Sequence, residues 1–407
     1  MNILPLNSLK LFSRSSVNNN KGAEYNSTNT GLKMSKPLSA DTVSFKARMV
    51  ELIEAAADKT NKELRGVSTK YMDVLEVIAG LLKDFGVSFD RSYCEPYAIK
   101  TASSVVSKII RSGSFHVPDR IRATVYSKNI YDLSILIEKI LMELDKRNYV
   151  LAENPMHLKE AVLRGYRPTS EDYERGYVLM PDLDIRLDMR NEDIKPYILP
   201  EELKYSMGEK QPSGYEDIQL RLVKVSRDEN GKIIKVNQNR QYELLILVGK
   251  NYSNAKKDES AHIYNYTRQF KELHIFQKDK SDKEVAKVKD LADKIKDIFS
   301  TEISQKVYGN AKSRDRFGTS ELIPINLGKE NEDALTACYD ALEESIRNYY
   351  ENLIKLRATN KKKLKQIVKD YQEDMTRLKN IRIGLTNAVD FYKNYSSEVQ
   401  SKKPKKS

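Results

Sequence analysis

The sequence predicts an α+β fold: a mixed sheet of about five strands flanked by helices, followed by a C-terminal helical hairpin or coiled coil. Three observations carry this. Short β-rich runs, RIRATVYS (120–127), IQLRLVKVS (218–226) and YELLILVG (242–249), read as strands. They are interleaved with stretches whose apolar residues recur every three or four positions, the period of a half-buried helix. Beyond residue 280 the strand-like runs cease and long helical periodicity takes over.

Residues 1–44 (SRSSVNNNKG, NSTNTG) are rich in Asn, Ser, Thr and Lys without periodicity, and read as a disordered N-terminal segment. A first helix is expected over 42–85, capped by Ser39 or Asp41 and breaking near Gly66, with Met49, Leu52, Ile53, Ala56 and Ala57 at helical spacing. A second is expected over 96–112, from Pro96 to the Ser-Gly-Ser turn. Then come the strand RIRATVYS, an amphipathic helix over 130–147 and a strand YVLAEN, together an α/β signature. The stretch 155–210 holds a short helix at 156–164 and the acidic segment PDLDIRLDMRNED. Asn230-Gly231 in DENGKI joins the next two strands as a hairpin. Helices follow at 281–299, 331–357 and 359–396, with the break at Ala358-Thr359-Asn360 making a hairpin or one long helix. The organisation read from this is a core domain at 45–275, a helical extension at 276–400 and a basic disordered tail at 401–407.

Of 407 residues, 40% are hydrophobic and 31% charged, a soluble, globular balance. No run approaches ~18 apolar residues, which argues against a membrane-spanning helix. Pro5, Asn7 and Lys10 interrupt any signal-peptide core. Cys94 and Cys338 are too few for a disulfide framework, and the four histidines show no zinc-ligand spacing, so a reducing, cytoplasmic setting is expected. The net charge of +12 sits at the ends: residues 1–48 carry seven Lys/Arg against two acids, and 355–407 fifteen against five. Basic ends fit a polyanionic partner such as RNA, or a solvated helix with a solubilising tail.

Four segments carry chemistry. Lys100, Ser104 and Lys108 are spaced four apart and would share one helix face, two ammonium groups flanking a hydroxyl for a polyphosphate. Asp119 precedes a strand, where a carboxylate can hold Mg²⁺ together with substrate phosphates. Glu243 lies in an apolar run; either it points out of the sheet or it meets a cation. Gly214-Tyr215 sits on a loop where a tyrosine can stack on a base. His262 and Arg268 follow in SAHIYNYTR.

In this order the segments resemble the RelA/SpoT nucleotidyltransferase family, the alarmone-synthetase domain, in its divergent toxin-like and phage-associated branch. The resemblance covers about residues 45–275, through Lys100/Ser104/Lys108, Asp119, Gly214/Tyr215 and Glu243, and through DRIRATVY, PSGYEDIQLRLV and SAHIYNYTR. The chain departs from the family pattern at Ala98, Thr124, Gln219, Leu245 and Leu247, with Arg122 as a replacement cation. The resemblance implies transfer of pyrophosphate from ATP to a nucleoside 3′-hydroxyl such as that of GTP or GDP. The two lysines, Ser104, Arg122 and His262 would bind nucleotide, with Gly214 and Tyr215 at the acceptor base. Asp119 and Glu243 would be the catalytic, Mg²⁺-holding pair, with Glu243 drawing the proton from the attacking hydroxyl. Two alternatives stand beside this. One is pyrophosphorylation of a tRNA 3′ end clamped by the basic C-terminal helices. The other is a catalytically degenerate nucleotide-binding scaffold. Those helices also offer a surface for homo-oligomerisation. With no His-Asp pair, a linked alarmone hydrolase is not expected.

Overall fold

The computed structural model describes residues 42–91, 98–112, 114, 117, 119–128, 133–163, 166–187, 211–319, 322–357 and 360–401. The N-terminal segment through residue 41, Cys94, Pro96, residues 188–193 of the acidic segment and the tail from residue 402 lie outside them.

Helix α1 spans Thr42–Leu81 as one unbroken element. The break expected near Gly66 does not occur. Glycine costs about 1 kcal/mol in a helix interior, but Leu64, Tyr71, Leu75 and Ile78 are locked into the core on both sides of it. Strand β1 (Val87–Phe89) follows. Helix α2 covers Ala102–Ser112, not the span from 96. Ile99 instead forms an antiparallel bridge with Ile121, the Lys100 amide donates to Arg120 O at 2.9 Å, and Thr101 Oγ1 accepts the Ser104 amide at the helix start. Lys100 is therefore on extended chain.

Then come β2 (Ile121–Ser127), α3 (Leu133–Asp145) and β3 (Tyr149–Leu151). A small antiparallel ribbon of β4 (Glu153–His157) and β5 (Tyr177–Pro181) stands apart, with α4 (Leu158–Leu163) and α5 (Ser170–Arg175) between its strands. β6 (Leu183–Arg186), β7 (Asp217–Arg227) and β8 (Ile233–Val248) complete the main sheet. Among the described residues this sheet has six strands in the order β1-β2-β8-β7-β3, and β6 shares the outer edge of β7 with β3. It is mixed, because β2 and β8 run parallel and the other pairs antiparallel. The expected hairpin joins β7 to β8, with Gly231 at φ +78° where a side chain would be strained.

Strand alternation gives the sheet two unlike faces. One buries Ile121, Ala123, Val125, Ile218, Leu220, Tyr242, Leu244 and Ile246 beneath α1 and α3, with Tyr71, Tyr149 and Tyr242 in mutual ring contact. The other carries the charged side chains described below.

The rest of the chain is helical. α6 (Lys250–Glu259) continues through a π turn, and α7 (Lys283–Phe299) leads by another into α8 (Gln305–Phe317). α9 (Lys329–Leu356) and α10 (Lys361–Ser401) are separate helices, a hairpin rather than one rod. A second core runs from Ile263 to Tyr392 through α7, α9 and α10, so this packing begins before residue 276. Gly384 lets α10 approach the Tyr266 ring, which a Cβ there would strike.

Candidate active site

The second face of the sheet is organised in rows by the strand register. Arg122 of β2 pairs with Glu243 of β8, and Glu243 with Arg221 of β7. The next row holds Thr124, Leu245, Gln219 and Asp184, and the third sets Tyr126 beside Leu247. At the same end Arg186 lies opposite Asp217.

Asp119 stands at the lip of β2, 4% exposed. Lys100 Nζ meets its Oδ2 at 2.5 Å, Lys108 Nζ its Oδ1 at 2.5 Å and Arg122 Nη2 its Oδ2 at 2.9 Å. Arg122 Nε also donates to Glu243 Oε2, so one guanidinium is shared by the two carboxylates. Glu243 is 2% exposed, and of the two readings its sequence left open, it meets a cation. Burial opposes ionisation of Asp119, but Lys100, Lys108 and Arg122 outweigh it and hold the carboxyl well below the ordinary carboxylate range. Burial and the neighbouring Arg122 lower Lys100 from its usual value. For Arg122, burial is outweighed by Glu243 and Asp119, which raise it further.

Local structure explains how these groups arrive. The Ile99–Ile121 bridge delivers Lys100, and α2 delivers Lys108 from the other side. Helix α1 clamps the bridge, with Asn61 Nδ2 donating to Lys100 O at 2.8 Å and Arg120 donating to Asn61 Oδ1 and Ala57 O. α2 is tied down through Arg111, which with Arg377 of α10 grips Glu272.

Three expected site residues are placed differently. Ser104 shares α2 with Lys108 but not with Lys100, and its hydroxyl is taken up locally, accepting from Thr101 Oγ1 at the start of the helix. Tyr215 is not an open platform. The loop bearing it is pinned to α8, where Gln305 donates to Pro212 O, Lys312 to Gly214 O and Glu216, and Arg316 to Glu216. Gly214, at φ +74°, makes the turn against Gln305. The Tyr215 ring packs with Tyr252 and Tyr308, and its hydroxyl donates to Asp217 Oδ2 at 2.8 Å. Burial, reinforced by Asp217, holds that phenol protonated far above its ordinary value. His262 stacks on Phe391 of α10, ring centroids 4.1 Å apart, and has no partner among the sheet's charges.

Three other members, Asp217, Arg186 and Lys256, were not singled out from the sequence. Asp217 is fully buried under a bidentate Arg186 (2.7 and 2.6 Å) and takes Gln219 Nε2 at 3.2 Å. Lys256 of α6 lies with Nζ 5.5 Å from the centre of the Tyr215 ring. The alternation of β6 and β7 would have found Asp217 and Arg186; nothing in the lysine-rich NAKKDE run distinguishes Lys256.

Among the described residues, no group of three or more His, Cys, Asp or Glu side chains gathers as a metal cage. Asp119 and Glu243, which converge on Arg122, fit Mg²⁺ and would hold it, since that ion needs few protein oxygens and takes the rest from phosphate and water. Chemically, the arrangement concentrates positive charge around two buried carboxylates on one face of the sheet. Comparison with family models, curated proteins and solved structures finds no match.

Proposed function

We propose that this chain is an ATP-dependent pyrophosphokinase acting on a nucleoside 3′-hydroxyl. One observation carries the reading: Asp119 at the start of β2 and Glu243 on the parallel neighbour β8 meet on the single cation Arg122, with two lysines also on Asp119. An ion cluster of this kind, in which cations outnumber carboxylates, favours a polyanion that exchanges with the internal pairs. Lys100 and Lys108 would turn from Asp119 to the phosphate oxygens of ATP, each as a point charge. Asp119 and Glu243 would hold Mg²⁺, which neutralises charge on the transferred group. The acceptor 3′-oxygen forms its bond to the β-phosphorus while the bond from that phosphorus to the α–β bridging oxygen breaks. AMP leaves, and Glu243 takes the hydroxyl proton.

A second reading is favoured by the rows beyond Glu243. Thr124, Leu245 and Gln219 replace the polar pattern of the family, and Leu247 is packed under Tyr252 and Tyr308. Tyrosines thus fill the ground where an acceptor base would lie, which suits a nucleotide-binding scaffold that transfers nothing.

The test is incubation with γ-labelled ATP and Mg²⁺ and either GTP/GDP or bulk tRNA. Label in a small nucleotide is the expected result, with Glu243→Gln at least about 10²-fold slower. Label in RNA moves the acceptor to a 3′ end. No transfer to any acceptor, with Glu243→Gln binding ATP like the parent, establishes the scaffold.

A further inference from the structure

The cations of the charged face are not all alike. Lys100 and Lys108 sit on Asp119, Arg122 on Asp119 and Glu243, and Arg186 on Asp217. Lys256 is the exception. It comes from α6, half-buried, with its ammonium over the Tyr215 ring, in the field of Asp217, Arg122, Glu243 and Arg186. No carboxylate among the described residues lies within ion-pair distance of it. A largely desolvated ammonium without a counter-charge is costly, and this one shows the strain: burial first, with Arg122 and Arg186 against the pull of Asp217 and Glu243, pushes it down to about 8. Among the described residues, no side chain supplies the anion this ammonium calls for.

Position says what kind. Lys100 and Lys108 gather at the lip of β2, whereas Lys256 neighbours Tyr215, Asp217 and Arg186, groups of β6, β7 and the loop before β7. The Arg122–Glu243 pair lies between the two sets. Counting Lys100, Lys108, Arg122, Arg186, Arg221 and Lys256 against Asp119, Asp182, Asp184, Asp217 and Glu243, the face carries one surplus positive charge among the described residues. A surplus cation among otherwise paired charges favours an anionic group such as a phosphate.

We propose that Lys256 is the far anchor of a polyphosphate chain whose near end rests on Lys100 and Lys108, so that this face selects its nucleotide by phosphate count. The inference rests on the nucleotide reading above and adds to it a binding residue and a basis for specificity. On this proposal a triphosphate would engage both lysine sets and a monophosphate only one.

The experiment is calorimetric titration of the full chain with ATP, ADP, AMP and inorganic tripolyphosphate in Mg²⁺, for the parent and for Lys256→Met, Lys256→Gln and Lys256→Arg. The neutral variants are expected to weaken ATP and tripolyphosphate about tenfold or more, the worth of a hydrogen bond to a charged group, and AMP hardly at all. Lys256→Arg should restore the preference for the longer chain. A structural role would instead lower all four ligands by one factor. That outcome, or unchanged ATP-to-AMP preference in either neutral variant, overturns the anchor while leaving nucleotide binding intact. A parent chain that binds neither ATP nor tripolyphosphate overturns the nucleotide reading itself, and the anchor with it.

Discussion

The two faces of the central sheet are made by the same residues' neighbours. In β8, Tyr242, Leu244 and Ile246 point into the apolar core, while Glu243, Leu245 and Leu247 point to the other side. Leu244 and Glu243 are both almost fully buried, at 0% and 2% exposure, yet they are buried on opposite terms. Leu244 needs only volume and contact, which α1 and α3 supply without regard to direction. Glu243 needs a particular partner in a particular place, and its register neighbour Arg122 supplies it. Apolar packing therefore fixes the sheet, and the sheet's register then places charges that would not assemble by themselves. The sharpest way to break this contrast is to cut each face in turn. Leu244→Ala should cost about 2–5 kcal/mol through the cavity it leaves, with transfer per folded molecule unchanged. Glu243→Gln keeps the shape and leaves Arg122 its Asp119 bond, so it should cost only about 1–2 kcal/mol while slowing transfer at least about 10²-fold. Chemical denaturation beside a transfer assay measures both. Equal stability losses, or an inactive but folded Leu244→Ala protein, would erase the distinction.

A pH dependence probes the charged face alone. The folded-state pKa of Asp119 is depressed, so its contribution is fully present above the unfolded value of 3.8 and is lost as pH falls below it. Urea melts at pH 5 and pH 3 should show the parent losing about 1 kcal/mol more than Asp119→Asn over that interval. Parallel pH profiles for the two proteins would mean that Lys100, Lys108 and Arg122 do not stabilise the ionised carboxylate.

How much of this was legible in the sequence follows the same division. Period and turn chemistry are local, so β2, the β7–β8 hairpin, α3 and the two C-terminal helices could be read directly. The carboxylate pair was legible because Glu243 breaks an apolar run, and burial of a charge advertises a partner. Which face Arg122 takes was not, since that depends on β2 lying parallel to β8. Lys100 was misplaced for a similar reason. Spacing of four suggested a helix, but Ile99 is held by a bridge to Ile121 that no local pattern reveals. The β4–β5 ribbon was hidden because Pro155 and the polar ENPMH run look unlike a strand, and such residues are tolerated only at a two-stranded edge. Tyr215 looked like a platform until Tyr252 and Tyr308, brought by α6 and α8, closed around it.

Lys256 gives the most direct view of what the charged face is for. Its folded value, about 8, lies below the ordinary 10.5, so between these two the unfolded chain holds more protons and stability rises with pH. Below pH 8 the folded protein carries an ammonium it would be more stable without. Lys256→Met should therefore be more stable than the parent at pH 7, on the order of 1–2 kcal/mol after allowing for solvent at the half-buried stem. The gain should shrink as pH climbs from 8 and vanish above about 10.5. Thermal melts of both proteins across pH 7–11 follow it. A residue kept only for packing would lose stability on this change at every pH. A gain that fades along this curve means that the position holds a charge against the interest of the fold, which is the mark of a group awaiting an anion.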